Sequence, residues 1–315
     1  MVNIYFTFEL RGDLRSDLVA EFPEVNFTFS AEVNEDLLRE ANIVVTYGED
    51  LNNHHIEIAN NLEWIFVASA GVEKMPAEAI VARDIYVSNV RGIHKKPMTE
   101  SILAHILAYK RAIPFVYEQQ AKKQWNKKAK LSELNGSTAL IIGPGAIGAE
   151  IGRILQAFDV KTIGCNRSGQ PIAEMNETYP IESLVEQLPK ADIVISMLPA
   201  TAETKHLLQP EHFKAMKSTA LFMNFGRGNL VSEDVLVNAL KNEEIEHAVL
   251  DVYEVEPLPQ TSELWDLSNV TLSPHFSSHS SRYMERSLEI FKPSLKSWLK
   301  GERKLKNEMD LTRGY

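Results

Sequence analysis

The sequence predicts an α/β protein of two domains, in which a doubly wound parallel sheet is inserted into a smaller α/β domain. Three observations predict this fold class. The chain has 315 residues, which is more than one small core needs. Short apolar runs alternate with helix-like stretches along most of the chain, as in β–α–β units. A glycine-rich turn follows one of these runs at residues 143–148, as in doubly wound sheets.

The apolar runs of the smaller domain lie in the first hundred residues. Stretches with helical spacing separate them at Asn34–Glu40 and Asn53–Asn60, which favours a mostly parallel sheet. The runs that we interpret as strands are Val2–Phe8, Ile43–Tyr47, Trp64–Val67 and Tyr86–Val90.

A long amphipathic segment runs from Met98 to about Gln124, with Thr99 as its expected cap. Pro114 lies inside this segment and predicts a break near Ile113, because proline lacks an N–H and clashes with the preceding turn. Six further apolar runs then predict six strands of a doubly wound sheet. They are Ala139–Ile142, Val160–Gly164, Ile193–Met197, Ala220–Asn224, Ala248–Asp251 and Val270–Ser273.

The segment from Arg282 to Leu299 is again helical in period. It follows the second sheet, whereas the first domain still needs a closing element, so we expect this helix to cross back. The predicted division therefore gives one domain from residues 1–98 and 282–315 and an inserted domain at 99–281.

Composition argues against several classes of function. A formal net charge of -10 disfavours binding to nucleic-acid phosphates. No run of about 18 apolar residues predicts a membrane span. The only cysteine is Cys165, so no intrachain disulfide can form and a reducing compartment is expected. The first ten residues predict a buried strand rather than a signal peptide, and we therefore expect a cytoplasmic protein.

The glycine turn predicts a binding site for NAD or NADP. It follows the run that ends at Ile142 and precedes the helix-like stretch Ala149–Phe158. The first glycine permits a tight turn, the second lets the backbone approach a pyrophosphate, and the third lets helix and strand pack closely. The N–H groups and dipole of the helix N-terminus favour the phosphates. The predicted contacts are Gly143, Gly145, Ala146, Ile147 and Gly148.

The next predicted strand leads into Asn166, Arg167 and Ser168, where an acidic residue would bind the ribose 2′-hydroxyl of NAD. Asparagine removes the repulsion between a carboxylate and a 2′-phosphate. Arg167 and Ser168 are suited to bind such a phosphate, arginine through a charge-assisted contact. The sequence therefore predicts a preference for NADP over NAD. The alternative is that Arg167 stacks on the adenine and that both cofactors bind.

Three candidate catalytic side chains follow three of the predicted strands, whose carboxyl ends line one crevice. Arg227 offers a planar donor fork to a carboxylate and keeps its proton. His275 can hold or release a proton near neutral pH. Glu256 would orient the imidazole and favour its protonated form. These groups suit the reduction of a 2-keto acid, which requires a cation for the carboxylate and an acid for the carbonyl oxygen. No metal is predicted.

Together, these motifs resemble the D-isomer-specific 2-hydroxyacid dehydrogenase family, most strongly from about Glu100 to Ser281. The matching segments are residues 143–148, 197–201 with Thr204, 224–228, 251–257 and 273–275. The resemblance implies a Rossmann cofactor domain inserted in a flavodoxin-like substrate domain, and it implies that Arg227, Glu256 and His275 are catalytic. It also implies a homodimer with the long helix after Met98 in its interface.

The resemblance assigns further contacts residue by residue. It implies that Asp251 meets the nicotinamide carboxamide and that Leu198 and Pro199 form a wall near the adenine. The backbone of the loop at Ser69, Ala70 and Gly71 would hold the substrate carboxylate. The remaining cofactor contacts that it implies are Thr204, Phe225, Gly226 and His275.

The implied activity is reduction of a small 2-keto acid, such as glyoxylate, hydroxypyruvate or pyruvate, to a D-2-hydroxy acid, with a long aromatic keto acid as the alternative substrate. Formate or phosphonate oxidation is a rival on the same fold, but formate oxidation needs no acid because no hydroxyl forms. An NAD(H)-sensing protein that recruits partners is the alternative outside enzymes. Besides Asn166, the chain departs from the family at Ser277 and Ser278, where many members carry paired glycines, and at Pro144 in the glycine turn. His279 is then expected close to the active centre.

Overall fold

The computed structural model describes residues 1–69, 71–72 and 74–311. Contacts divide the chain into two compact units, residues 1–93 with 280–315, and residues 94–279. The sequence prediction placed the two divisions at residues 98 and 281. We describe each unit by itself.

The described residues form twelve strands and eleven α-helices. The strands are β1 Val2–Phe6, β2 Val25–Phe29, β3 Ile43–Thr46, β4 Trp64–Val67, β5 Tyr86–Asn89, β6 Thr138–Ile142, β7 Lys161–Asn166, β8 Glu177–Pro180, β9 Ile193–Ser196, β10 Leu221–Asn224, β11 His247–Leu250 and β12 Val270–Leu272. The helices are α1 Gly12–Glu21, α2 Glu35–Glu40, α3 Asn53–Ile58, α4 Ala77–Ala82, α5 Lys95–Lys110, α6 Ile113–Ala121, α7 Ala146–Gln156, α8 Leu184–Gln187, α9 Pro210–Ala215, α10 Glu233–Lys241 and α11 Tyr283–Leu299.

The first unit contains a five-stranded sheet in the order β2-β1-β3-β4-β5, with every pair parallel. Every residue of β3 and β4 is buried, as expected of a parallel sheet covered on both faces. The C-terminal helix α11 belongs to this unit. Its Phe291 and Trp298 stack on Trp64 of β4 with ring centroids 5.5 and 5.4 Å apart. The last helix therefore completes the core of the first sheet.

The second unit opens with α5 and α6, which are separated where Ala112 adopts a left-handed φ of 50°. Pro114 lies in the first turn of α6, so the break falls where the proline predicts it. The expected cap at Thr99 is wrong. Helix α5 begins at Lys95, and the Thr99 hydroxyl donates to the Lys95 carbonyl at 2.7 Å within the helix.

The sheet of the second unit runs β12-β11-β10-β9-β6-β7-β8, and every pair is parallel. It has seven strands, one more than the six predicted, because β8 adds to the edge beside β7. Strand β8 has no apolar run and none of its residues is fully buried, so the pattern of apolar residues did not predict it. The strand order reverses between β6 and β9, and ligands of such sheets bind at that point.

The described residues bear on two expectations, one about membranes and one about metals. No helix in these residues is both long and apolar enough to cross a membrane. No group of three or more His, Cys, Asp or Glu side chains there is arranged to hold a metal ion. Cys165 is buried in β7, and burial raises the pKa of its thiol to about 12, so it packs as a small apolar residue.

Candidate active site and cofactor crevice

The glycine turn joins β6 to α7 at the point where the strand order reverses. Gly143 has a φ of +82°, and a Cβ there would lie 2.9 Å from Cδ2 of Leu198. A Cβ at Gly148 would lie 2.8 Å from the carbonyl oxygen of Gly143. Both positions therefore need glycine, the first for its conformation and both for close packing.

The geometry of this turn fits a dinucleotide. Gly145 is the N-cap of α7, and an added Cβ there would meet nothing within 4 Å, so the space before the helix is open. The first N–H groups of a helix have no acceptor within it, which applies to Ala146, Ile147 and Gly148. Backbone donors at an open helix N-terminus are what a pyrophosphate requires.

Asn166, at the end of β7, organises the loop that follows it. Its Oδ1 accepts from the backbone N–H groups of Ser168 at 3.0 Å and Gly169 at 2.6 Å, and its Nδ2 donates to the carbonyl of Gln170 at 3.0 Å. Arg167 and Ser168 are exposed. The position therefore presents an amide that is engaged with its own loop, beside an exposed cation.

The loop after β9 faces the same region. The Thr204 hydroxyl donates to the Pro199 carbonyl at 2.6 Å and accepts from the Thr201 N–H at 2.8 Å, which closes the loop. The pKa of Glu203 is lowered, first by a hydrogen bond from Thr201 and to a smaller extent by the charge of Arg167. Arg167 is therefore within electrostatic reach of this loop.

The three candidate catalytic residues follow the adjacent strands β10, β11 and β12. His275 Nδ1 lies 2.7 Å from Oε2 of Glu256, so the structure brings this predicted pair into contact. The other oxygen of Glu256 accepts from the backbone N–H of Tyr253 at 2.9 Å. Glu256 and His275 line a cavity of about 630 Å³ together with Tyr253. The pair of Glu256 and His275 is thus anchored to the backbone through the Tyr253 N–H.

Arg227 lies in a loop that Asn224 holds on two sides. The Asn224 amide donates to the Arg227 carbonyl at 3.0 Å, and its Oδ1 accepts from the Gly226 N–H at 3.2 Å. The Arg227 guanidinium donates to the Gly226 carbonyl at 2.9 Å. Phe225 and Gly226 are buried, whereas Arg227 is exposed at the end of the strand. The cation is thus exposed, with one of its donors bound to the loop.

His94, just before α5, is a residue of this region that sequence reasoning missed. Its pKa is lowered by burial first and then by the charges of Arg227 and His279, so all three side chains share one electrostatic environment. No motif surrounds His94, and only the topology brings it near the loop after β10. His279 was expected near the active centre, and this environment supports that expectation.

Asp251, at the end of β11, is buried with 1% of its surface exposed. Its carboxylate accepts from backbone N–H groups of Phe276 at 3.2 Å and Ser277 at 3.3 Å. It therefore binds the loop that carries His275. The resemblance implies that Asp251 contacts the nicotinamide. The contacts that the structure describes for its carboxylate are those to this loop.

The predicted substrate loop follows β4 in the first unit. Ser69 is half-buried, and its hydroxyl donates to the Gly71 carbonyl at 2.7 Å. Ala70, the third predicted residue, lies outside the described residues. Ser69 lines a cavity of about 640 Å³ with Thr7, Phe8 and Tyr47, all at carboxyl ends of strands in the first sheet.

The chain is similar in sequence to a family of dehydrogenases. Residues 103–277 match the model of the D-isomer specific 2-hydroxyacid dehydrogenase NAD binding domain. The chain is 33% identical over 256 residues to a glyoxylate reductase of Thermofilum pendens, covering 78% of this chain and 75% of that protein. It is 32% identical over 242 residues to a glyoxylate/hydroxypyruvate reductase B of Salmonella schwarzengrund, covering 75% of each.

A solved structure of a D-isomer specific 2-hydroxyacid dehydrogenase family protein from Aeromonas salmonicida superposes with a TM-score of 0.85 at 32% identity, covering 98% of this chain and 99% of that one. The prediction of family and fold class is confirmed by these matches. The chain belongs to the D-isomer-specific 2-hydroxyacid dehydrogenases, a family of NAD(P)-dependent oxidoreductases that act on small 2-hydroxy and 2-keto acids.

Proposed function

We propose that this enzyme reduces a small 2-keto acid, of the glyoxylate or hydroxypyruvate type, to the D-2-hydroxy acid, with His275 as the proton donor. The observation that carries this proposal is the contact of 2.7 Å between His275 Nδ1 and Glu256 Oε2. The names of the relatives in Thermofilum and Salmonella support the substrate class.

The roles of the residues follow from this contact. The Glu256 carboxylate holds the imidazole by Nδ1, which leaves Nε2 as the nitrogen that delivers a proton to the carbonyl oxygen. The exposed Arg227 binds the substrate carboxylate and polarises the carbonyl, because guanidinium matches a carboxylate with two parallel donors. In reduction the hydroxyl gains its proton from His275, and in oxidation the neutral ring takes that proton back.

A second group of residues would bind the cofactor, which is the other reactant. Gly143, Gly145 and the first turn of α7 would hold the pyrophosphate, and Arg167 with Ser168 would hold a 2′-phosphate. When bound, the reduced nicotinamide supplies the hydride that the keto carbon receives.

The test of the function is oxidation of NADPH, and of NADH in parallel, against glyoxylate, hydroxypyruvate, pyruvate and phenylpyruvate. We expect turnover with one or more of the small acids, and a chiral assay of the product should find the D isomer. Tight binding of cofactor without turnover of any of these acids would contradict the proposal and favour a cofactor-sensing protein.

We further propose that NADPH is preferred, and that Asn166→Asp weakens it selectively. The new carboxylate would repel the 2′-phosphate, while its Oδ1 still accepts from the loop N–H groups that Asn166 binds. We expect Kd for NADPH to rise roughly tenfold, with Kd for NADH changing less than about twofold. Fluorescence titration measures both constants.

Arg167→Ala is the matched variant, because it removes the cation and leaves the Asn166 contacts in place. It should also weaken NADPH more than NADH. Equal losses for both cofactors in the two variants would show that this loop holds the adenosine without distinguishing the 2′-phosphate.

The assembly that we propose is a homodimer through α6 and the segment after it. Large apolar side chains there are exposed, among them Val116 by 50%, Tyr117 by 68%, Trp125 by 92% and Leu131 by 54%. Contiguous exposed apolar surface marks interaction sites, and we propose that these side chains form such a surface. A second copy of the chain is the occupant that the family resemblance implies.

Replacing Tyr117 and Trp125 by lysine should convert the dimer to a monomer, because each copy would bring two charges into an apolar interface. Sedimentation equilibrium should give twice 35.5 kDa for the wild type and 35.5 kDa for the variant. Val185→Lys, at an apolar side chain of α8 that is 42% exposed, is the control and should stay dimeric. A wild type that sediments at 35.5 kDa contradicts the assembly.

A further inference from the structure

His275 has an unusual backbone. Its φ is 49°, in the left-handed region, which residues with a side chain rarely adopt. Such a conformation persists only where surrounding contacts hold it, and the contacts around His275 show what holds it there. The conformation places the ring against Glu256, so the contacts that maintain it also maintain the catalytic pair.

Those contacts converge on the buried carboxylate of Asp251. One oxygen, Oδ1, accepts from the Ser273 hydroxyl at 2.5 Å and from the Phe276 N–H at 3.2 Å. The other, Oδ2, accepts from the N–H of Ser277 at 3.3 Å and from its hydroxyl. A single buried charge, satisfied by four donors, therefore binds the chain on both sides of His275.

The same network reaches Glu256 through Tyr253. The Tyr253 Oη accepts from the Ser273 N–H at 3.0 Å and lies 2.9 Å from the Ser273 carbonyl, to which it donates. Burial raises the pKa of this phenol to about 12, so it keeps its proton near neutral pH. The Tyr253 N–H in turn donates to Glu256 at 2.9 Å. Both members of the catalytic pair are thus tied to Ser273.

We propose that Asp251 and Ser277 are positioning residues that hold His275 in register with Glu256, with the Ser277 hydroxyl as one of the donors that fix the Asp251 carboxylate. The proposal rests on the proposed role of His275. The Ser277 side chain is 4% exposed and donates to the buried carboxylate.

The test is Ser277→Ala, which deletes this donor and keeps the backbone N–H. We expect kcat for keto-acid reduction to fall about tenfold, because small displacements of a catalytic group are costly. The Kd for NADPH and the KM for the keto acid should change less than about twofold. Ser277→Thr keeps a hydroxyl and should recover most of kcat. A wild-type kcat in Ser277→Ala overturns the proposal.

Ser278→Ala is the matched control, since among the described contacts Asp251 accepts from Ser277 and not from Ser278. It should keep kcat within about twofold. An equal loss of kcat in both variants would show a general sensitivity of the loop and would overturn the assignment to Ser277. Should Ser277→Ala fail to fold, Ser273→Ala removes the donor on the other side of His275 and is expected to give the same loss of kcat.

A second readout does not depend on turnover. In protein labelled with ¹⁵N-histidine, the Nδ1 proton shared with Glu256 should give a downfield signal, assigned by its loss in Glu256→Gln. We expect this signal to be lost or shifted in Ser277→Ala and retained in Ser277→Thr and Ser278→Ala. An unchanged signal in Ser277→Ala overturns the proposal even when the wild type reduces none of the keto acids. Absence of turnover in the wild type alone speaks against the proposed function.

Discussion

Replacing His275 by alanine should lower kcat for keto-acid reduction by about 10²- to 10⁴-fold at every pH where the wild type works, because the carbonyl oxygen loses its positioned proton donor. The measurement is a series of steady-state rates from acid to alkaline pH with saturating NADPH. Binding of NADPH should be weakened far less than kcat, since the predicted pyrophosphate contacts lie in the turn after β6 and His275 is only one of the predicted cofactor contacts.

A matched control is available in the first unit. His54 pairs with Glu35 at 3.5 Å on the surface, so His54→Ala also removes a histidine from a carboxylate. It should leave kcat unchanged. A pH–rate profile of His275→Ala that keeps the height and shape of the wild-type profile would show that another group supplies the proton.

Replacing Arg227 by alanine should lower kcat/KM by about 10²-fold or more, because the substrate carboxylate loses a charge-assisted, bidentate contact. The loop itself should persist, since Asn224 holds it through the Arg227 carbonyl and the Gly226 N–H, which the substitution leaves in place. Initial rates at low keto-acid concentration measure this loss directly.

Arg227→Lys distinguishes charge from geometry. Lysine keeps the charge but not the planar fork, so its kcat/KM should lie between those of the wild type and Arg227→Ala. Arg39→Ala removes a surface guanidinium that pairs with Glu35 and should have no effect. Rates near those of the wild type in Arg227→Ala would exclude this residue from substrate binding.

The fold class and the contact between Glu256 and His275 were predictable from the sequence because their determinants are local. A buried parallel strand is a continuous apolar run, and the glycine turn needs small residues at set positions. Glu256 and His275 each follow such a run, so topology alone places them at one edge of the sheet. Strand β8 escaped prediction because a half-exposed edge strand needs no apolar run.

Other parts of the site depend on contacts that the sequence pattern does not contain. His94 joins the surroundings of Arg227 only through the packing of α5 in the folded unit. The four donors on Asp251 come from residues beyond the next strand, and nothing in their spacing shows that they converge. Thr99 was expected to cap a helix that in fact begins four residues earlier, since His94 and not Thr99 precedes its first turn.

The stacking of Phe291 and Trp298 on Trp64 has a consequence for how the chain folds as it is synthesised. The first five strands leave the ribosome early, yet the helix that covers their aromatic residues is made only after the whole inserted unit. The inserted unit, complete at residue 279, should therefore fold first. Meanwhile Trp64 and its neighbours in the N-terminal segment remain uncovered. Until α11 is made, this uncovered apolar segment is the part of the nascent chain most exposed to aggregation.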